Sequence, residues 1–322
     1  MPKEHHPRHG SMQFWPRVRA KKPYARVRSW QRVTKDPLLA FMGYKAGMTH
    51  VLGIDTRKNA NTKGEETSTP VTIIECPPMK IAGVRVYLDK YLGKKVSKDI
   101  MFKNDKELAR KIPASKKTHE LNIKATDYSE LRLLVYTQPK LAGVGKKRPE
   151  LFEVGLSGTM EDKLKFATEH KDKELLLQNF FKEGEYVDIH AVTTGKGLQG
   201  PVKRFGVAFK NHKTEKGVRR VGSLGPWSAQ GHILFRVAHA GQMGYQLRTE
   251  YNKLIFKISN KPEEVNPAGA FMQYGNVKST YIMLKGSVAG PAKRAIIFTK
   301  PYRQCKTETI PTITQINTSS KQ

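Results

Sequence analysis

Three glycines within TTGKGLQGPVKRFG (residues 193–206) have the spacing most suggestive of chemistry. Gly195, Gly197 and Gly200 spell G-x-G-x-x-G, which in dinucleotide-binding proteins forms the turn between a strand and a helix. The preceding segment, 186–194, is rich in β-branched residues and predicts the required strand. The residues after the glycines therefore decide between a cofactor site and another use.

Those following residues do not fit a dinucleotide site. Pro201 comes directly after the third glycine, and no helical periodicity follows it. Glu215 stands alone among Lys and Arg side chains, so the acidic residue that would bind a ribose is also missing. We therefore predict no nucleotide cofactor. Two alternatives remain open: an ordinary turn with glycines at positive φ, or a loop whose backbone approaches phosphates while Lys196, Lys203 and Arg204 neutralise them.

The other residues that often carry chemistry do not form a catalytic or metal motif. His5, His6 and His9 lie in a basic, proline-broken segment, where contact with phosphate or solvent is favoured over a metal ion. Neither Cys76 nor Cys305 belongs to a C-x-x-C pair, which predicts two isolated thiols. The sequence contains no common hydrolase, zinc-protease or phosphate-loop signature. It therefore predicts no enzyme activity, no cofactor and no metal.

The net charge gives a positive indication of function. The 322 residues include 58 Lys and Arg against 28 Asp and Glu, a formal net charge of +30. Such a charge opposes compaction unless a polyanion neutralises it, so nucleic acid is the favoured partner. An anionic membrane is the alternative, but the sequence lacks the amphipathic basic helix that it would need. Residues 85–180 hold 21 basic and 14 acidic residues, so most of the excess lies elsewhere.

The first strongly basic stretch is residues 1–35, with ten Lys and Arg and a single acidic residue. Prolines and dense like charge argue against a free-standing helix or core there. Phe14, Trp15, Tyr24 and Trp30 are interleaved with the cations, and such rings can stack on bases while the cations bind phosphates. We predict an arm that orders on RNA rather than a disordered tail. Its predicted RNA-binding residues are Arg8, His9, Arg17, Arg19, Lys21, Lys22, Arg26 and Arg28.

The second basic stretch is residues 195–222, with eight Lys and Arg and one acidic residue. It runs into GSLGPWSAQGH (222–232), where Trp227 stands among glycines with little apolar company. Such a tryptophan could fold back onto a core, but the neighbouring cations favour an exposed loop tip that enters structured RNA. The RNA-binding residues predicted in this loop are Lys196, Gly197, Gly200, Lys203, Arg204, Lys210, Arg219, Arg220, Trp227 and His232.

Short strands punctuated by Gly and Pro must position these basic segments. They are predicted at 71–76, 82–88, 131–137, 186–194, 252–259, 281–288 and 294–300. This pattern favours a closed antiparallel β-barrel. Helical signal is concentrated in the middle of the chain, where Thr159 and Asp162 indicate a capping box ahead of two short helices. We therefore predict a mainly β protein with an α/β insertion.

Seven longer motifs indicate a family. In chain order they are PRHGS (7–11), GYKAGMTHV (43–51), PVTIIECPPM (70–79), VTTGKGLQGPVKRFGV (192–207), GSLGPW (222–227), AGQMGYQLRTEYNK (240–253) and KGSVAGPAKR (285–294). They span nearly the whole chain and are specific in composition. Through them the chain resembles the universal large-subunit ribosomal protein L3 family in its archaeal form.

The resemblance implies a barrel of the translation-protein type, an extended N-terminal arm and a long internal loop that penetrates rRNA. The implied segments are an arm at 1–37, a barrel from 38–84, 183–204 and 240–310, an α/β insertion at 85–182, an internal extension at 205–239 and a C-terminal tail at 311–322. In the family the extension points toward the A-site side of the peptidyl-transferase centre, and its tip tryptophan falls on Trp227. The resemblance adds Gln242, Arg248, Lys293 and Arg294 to the predicted rRNA contacts.

The implied function is that of a structural constituent of the large ribosomal subunit that supports its assembly in the cytoplasm. The implied partners are large-subunit rRNA and neighbouring ribosomal proteins, including the fourteen and twenty-four-e families. A free-standing RNA-binding or RNA-modifying barrel protein is an alternative, but no motif supplies the nucleotide or methyl-donor pocket that a modifying enzyme would need. A DNA-architectural protein that binds by charge alone is another.

Overall fold

A computed structural model describes residues 9–31, 37–102, 105–113, 128–225, 231, 233–303 and 310–320. The chain divides into two compact units. The extension unit comprises residues 1–22 and 192–247, and the sheet unit comprises 23–191 and 248–322. Strands predominate and helices are few and short, so the predicted mainly β class is confirmed.

Thirteen strands lie within the described residues. They are β1 (Ala40–Ile54), β2 (Glu66–Glu75), β3 (Met79–Lys90), β4 (Gly93–Met101), β5 (Glu130–Thr137), β6 (Leu151–Gly155), β7 (Tyr186–Val192), β8 (Leu198–Gln199), β9 (Gly241–Gln242), β10 (Leu247–Ser259), β11 (Tyr281–Lys285), β12 (Ala295–Thr299) and β13 (Thr312–Ile316). The α-helices are α1 (Met160–Glu169) and α2 (Pro201–Phe205). Single 3-10 turns occur at Leu108–Arg110, Pro139–Leu141, Leu177–Asn179 and Pro262–Glu264.

The larger sheet has seven strands in the order β12-β7-β10-β11-β2-β1-β13, and β12 pairs with β1 as well as with β7. The long strand β1 makes this possible, because Ala40–Tyr44 pair with β12 while Val51–Ile54 pair with β13. A register shift between Lys45 and Gly47 interrupts the pairing of β1 with β2. Gly47 is required there, because an added Cβ would lie 2.6 Å from the Phe271 ring.

Apolar side chains from this sheet form most of the core. β11 and β12 are runs of Ile, Met, Leu and Phe that are almost entirely buried. The Phe298 ring lies 5.3 Å from that of Phe181 and 5.8 Å from that of Phe41, measured between centroids. Burial of such large side chains is the main source of stability.

A second sheet, in the order β4-β3-β5-β6, occupies much of the predicted insertion. Helix α1 packs beside β5 and begins at Met160, with Thr159 as its N-cap. The Thr159 hydroxyl accepts a hydrogen bond from Asp162 N, and the Asp162 carboxylate accepts one from Thr159 N. The predicted capping box is therefore confirmed. In place of the two short helices predicted after it, the structure has helix α1 and the 3-10 turn Leu177–Asn179.

The structure also departs from the sequence-based elements. Strands β1, β4, β6, β8, β9 and β13 were not predicted, and helix α2 forms where the sequence shows no helical period. None of the helices in the described residues is long and apolar enough to cross a bilayer. The same part of the chain contains no cluster of three metal-binding side chains.

Candidate RNA interface

The base of the internal loop is a two-stranded neck formed by residues 193–199 and 241–246. β8 and β9 pair through Leu198–Gln242 and Gln199–Gly241. Below them, Lys196 N donates to Met243 O at 3.0 Å, and Met243 N donates to Gly197 O at 2.9 Å. The Gln242 side chain donates to two carbonyls of its own loop, those of Met243 and Gly244. The glycine motif is therefore one side of a fixed hairpin neck.

The glycines of the motif have different structural requirements. Gly197 has a φ of +64°, a conformation that strains any residue with a Cβ. Gly200 has a φ of −70° and precedes α2 as its N-cap. An added Cβ at either position would meet no described atom within 4 Å. Gly197 is thus needed by the turn, whereas neither φ nor packing explains Gly200.

One turn of helix, α2, carries Arg204 into a network of backbone carbonyls. Its guanidinium donates to Gln242 O at 3.0 Å, His239 O at 3.1 Å and Arg17 O at 3.4 Å. Arg17 in turn donates to Arg204 O at 2.8 Å. Burial, together with the nearby Arg17 cation, lowers the pKa of Arg204. These two predicted RNA-binding residues therefore also connect the arm to the neck.

An aromatic cluster strengthens the same junction. The Trp15 ring lies 5.7 Å from Phe205 and 5.8 Å from Phe235 between centroids. The Arg17 guanidinium lies 4.3 Å from the centre of the Phe205 ring. A Cβ on Gly10 would lie 2.5 Å from that ring, so the arm backbone passes directly over it. The first part of the arm thus packs on the extension unit, and its tryptophan contacts aromatic side chains of the same unit.

The extension unit presents many of the predicted cations on its surface. Arg19, Lys21, Lys22, Lys196, Lys203, Arg219 and Arg220 are exposed, whereas Lys210 is half-buried. Arg219 lies 5.0 Å above the Phe209 ring, which steadies it. Arg8, Trp227 and His232 lie outside the described residues.

The later part of the arm belongs to the sheet unit. Tyr24 is buried and its hydroxyl donates to Leu151 O at 2.7 Å. Trp30 packs against β6, where a Cβ on Gly155 would lie 2.6 Å from the indole ring. Arg26 and Arg28 flank the buried Val27 and are exposed. This alternation fixes one face of the arm on protein and leaves its cations on the other.

The remaining predicted RNA contacts, Arg248, Lys293 and Arg294, lie in the sheet unit. The loop that carries Lys293 and Arg294 is held by Lys45, a residue that the site prediction missed. Lys45, on β1, donates to Val288 O at 2.5 Å and Gly290 O at 2.9 Å. Its backbone pairs with Lys293 and Arg294, whose loop is thereby fixed. Burial lowers the pKa of Lys45. Lys293 is exposed, while Arg294 and Arg248, at the start of β10, are half-buried.

The sheet unit also contains a cavity of about 180 Å³ beside Asp188 and His190. The Asp188 carboxylate accepts hydrogen bonds from the backbone N atoms of Asn252 and Tyr302, both at 2.8 Å. The His190 ring bonds with Thr249 and Thr299, and burial lowers its pKa. The Asp–His pair therefore maintains the fold rather than forming a catalytic dyad.

A mainly β protein with a cation-lined, glycine-rich loop and an arm packed against it belongs to the class of structural RNA-binding proteins. The family model for ribosomal protein L3 matches residues 1–322. Proteins called large ribosomal subunit protein uL3 are similar over essentially their full length. They are 46% identical in Methanosphaera stadtmanae and 45% in Methanothermobacter thermautotrophicus, with 100% of this chain and 99% of each relative covered. The relative from Archaeoglobus fulgidus is 43% identical, with 99% of both chains covered.

The chain belongs to the ribosomal protein L3 family, as the sequence motifs predicted. It is accordingly a non-enzymatic constituent of the large ribosomal subunit, with rRNA and ribosomal partners, and it works in cytoplasmic ribosomes. The fold is thus the scaffold for an RNA interface.

Proposed function

We propose that the extension unit binds rRNA through its bare backbone as well as its cations, and that the internal extension within it supports the A-site side of the peptidyl-transferase centre. Gly200 is the observation that carries the first part. Its φ of −70° suits any residue, and a Cβ there would meet no described atom. A glycine that the protein itself does not require is explained by a partner that comes close to the backbone. The exposed Lys196 and Lys203 are suited to neutralise the phosphates of that partner.

The arm and the neck act as one surface in this proposal. Trp15 and Arg17 hold the arm on Phe205, so Arg19, Lys21 and Lys22 are exposed from a fixed segment. Fixing the cations before binding reduces the entropy lost when RNA is bound. Arg26, Arg28, Gln242, Arg248, Lys293 and Arg294 complete the proposed set of rRNA contacts.

The larger sheet is the proposed scaffold for the extension. Pairings run from β1 through β2, β11, β10, β7 and β12 and return to β1, and this circuit supports a closed barrel. We assign the barrel to 38–84, 183–204 and 240–310, the insertion to 85–182, and the extension to 205–239. The proposed protein neighbours are members of the fourteen and twenty-four-e families.

Replacement of Arg219 and Arg220 by Gln tests the placement of the extension. Both side chains are exposed, so the variant should melt like the wild type. Ribosomes that carry it should bind A-site tRNA less tightly or respond differently to peptidyl-transferase inhibitors. Trp227→Ala should act in the same direction, and Lys58→Gln with Lys63→Gln is the charge-matched control. Unchanged A-site binding together with an unchanged response to these inhibitors, in ribosomes that contain either extension variant, would contradict the placement.

A further inference from the structure

A β-hairpin of the four-stranded sheet extends beyond the strand that supports it. Within the described part of the chain, β3 pairs with β5 only as far as Tyr87, whereas residues 88–90 pair only with residues 93–95 of β4. Tyr91 and Leu92 form the turn between them. The end of the hairpin is therefore a two-stranded ribbon, which is only marginally stable in water by itself.

The two residues at the tip are not covered by any of the residues that the structure describes. Tyr91 is 104% exposed and Leu92 is 97% exposed, which are the values of side chains without packing contacts. The turn does not need them, because Gly93 supplies the left-handed conformation with a φ of +106°. A lone exposed leucine is ordinary, but two adjacent large apolar side chains on a protruding tip indicate an interaction site.

The charge of the hairpin indicates the kind of partner. Of the nearby acids, Asp99 binds Arg85, and Glu130 binds both Lys94 and Arg132. Asp89 is exposed and forms no ion pair among the described residues, so three lysines still outnumber the one remaining acid. The cations left over are exposed and form no ion pair within the described part of the chain; they are Lys90, Lys95 and Lys98. Lysines on an edge strand also discourage aggregation, but this does not explain the apolar tip. A partner that carries both negative charges and exposed aromatic rings would explain the exposed lysines as well as the apolar tip.

We propose that the tip of the β3–β4 hairpin is a second rRNA-binding element, separate from the extension. Tyr91 stacks on an unpaired base, Leu92 packs beside it, and Lys90, Lys95 and Lys98 bind the flanking phosphates. The inference rests on the family function of the chain as an rRNA-binding constituent of the large subunit. It does not depend on where the extension reaches.

Photocrosslinking in assembled large subunits tests the partner directly. A benzophenone amino acid replaces Tyr91 in the full-length chain, and the same amino acid at the exposed Leu176 sets the background. We expect an adduct to a single rRNA segment, well above that background. An adduct to a ribosomal protein, or no adduct above background, would overturn the proposal. Because the Tyr91 side chain has no packing contacts, a thermal melt should show that the substituted protein remains folded.

A binding experiment tests the lysines with the free full-length protein and a transcript of large-subunit rRNA. Replacing Lys90, Lys95 and Lys98 by Gln should reduce the slope of log K against log salt by about 2–3, since each phosphate contact contributes roughly 0.7–0.9. Lys58, Lys63 and Lys165 provide an exposed control set with the same loss of charge. Equal slope changes in the two triple variants would contradict a local interface. The Arg219 and Arg220 variant tests the extension independently, so the two proposals can fail separately.

Discussion

The two units of the chain use charge in opposite ways. The extension unit, residues 1–22 and 192–247, contains 15 Lys and Arg but only two acidic residues. The sheet unit contains 43 Lys and Arg and 26 acidic residues, and many of these acidic side chains are hydrogen-bonded within the fold. Polar groups in the sheet unit therefore contribute to stability, whereas the extension unit carries a large excess of cations over acidic residues.

The stability of the sheet unit should depend most strongly on the hydrogen bonds of buried Glu75. Its carboxylate accepts hydrogen bonds from Gly143 N, Lys278 N, Ser279 N and Ser279 Oγ at 2.7–3.0 Å, and from the Tyr274 hydroxyl. Glu75→Gln turns one acceptor into a donor among these donors. We expect the free energy of unfolding to fall by about 2–4 kcal/mol in urea titrations.

The exposed Glu65 is the control for this prediction, because Glu65→Gln removes the same charge. Its effect should stay within about 0.5 kcal/mol. Similar losses in the two variants would show that charge, rather than buried hydrogen bonding, determines the stability of this unit.

The stability of the extension unit should instead depend on the aromatic cluster of Trp15, Phe205 and Phe235. Trp15→Ala removes contacts with Phe205 and Phe235, each worth roughly 0.5–1.5 kcal/mol. Amides in residues 196–206 should then exchange hydrogen faster, by the factor equivalent to this loss of free energy. Amides in β11 and β12 should still exchange slowly. Phe14→Ala, at a more exposed position, should have a smaller effect. Faster exchange across both units would contradict separate sources of stability.

The smallest expected effect is a pH dependence of the four-stranded sheet. Burial raises the pKa of Glu153, but Tyr87, Arg85 and Arg132 more than offset this, so the pKa lies below its usual value. A lowered folded-state pKa stabilises the protein above the unfolded value of about 4.3, and this contribution is lost as pH falls through the folded pKa. Glu153→Gln should therefore flatten the decline in unfolding free energy below about pH 4. An unchanged decline would exclude this carboxylate as a cause.

The same comparison explains which features the sequence could predict. Strands such as β11 and β12 are short apolar runs, and the Thr159–Asp162 capping box spans four residues, so local sequence is sufficient for both. The sequence of β1 contains Gly43, Gly47 and Gly53, which weaken its local preference for a strand. The strand forms because it pairs with strands that are distant in sequence. Helix α2 is too short to show a period.

The sequence identified which segments carry the surplus cations, but not how the aromatic residues among them pack. Trp15, Tyr24 and Trp30 were interpreted as candidates for base stacking, yet all three pack on protein. Their partners, Phe205, Leu151 and Gly155, are more than a hundred residues away in sequence. Local spacing cannot distinguish a ring that packs on such a partner from one that stacks on RNA.

Gly200 allows the most direct test of the central claim that the surface of the extension unit is shaped by RNA rather than by protein stability. Gly200→Ala and Gly200→Val add side chains into space that no described atom occupies, at a φ that both residues accept. Each variant is expressed together with the wild type, and its share in purified large subunits is compared with the thermal melt of the free protein. We predict nearly unchanged melting and a share that falls from Ala to Val by several-fold. Lowered melting with normal incorporation would contradict the claim and identify Gly200 as part of an ordinary turn.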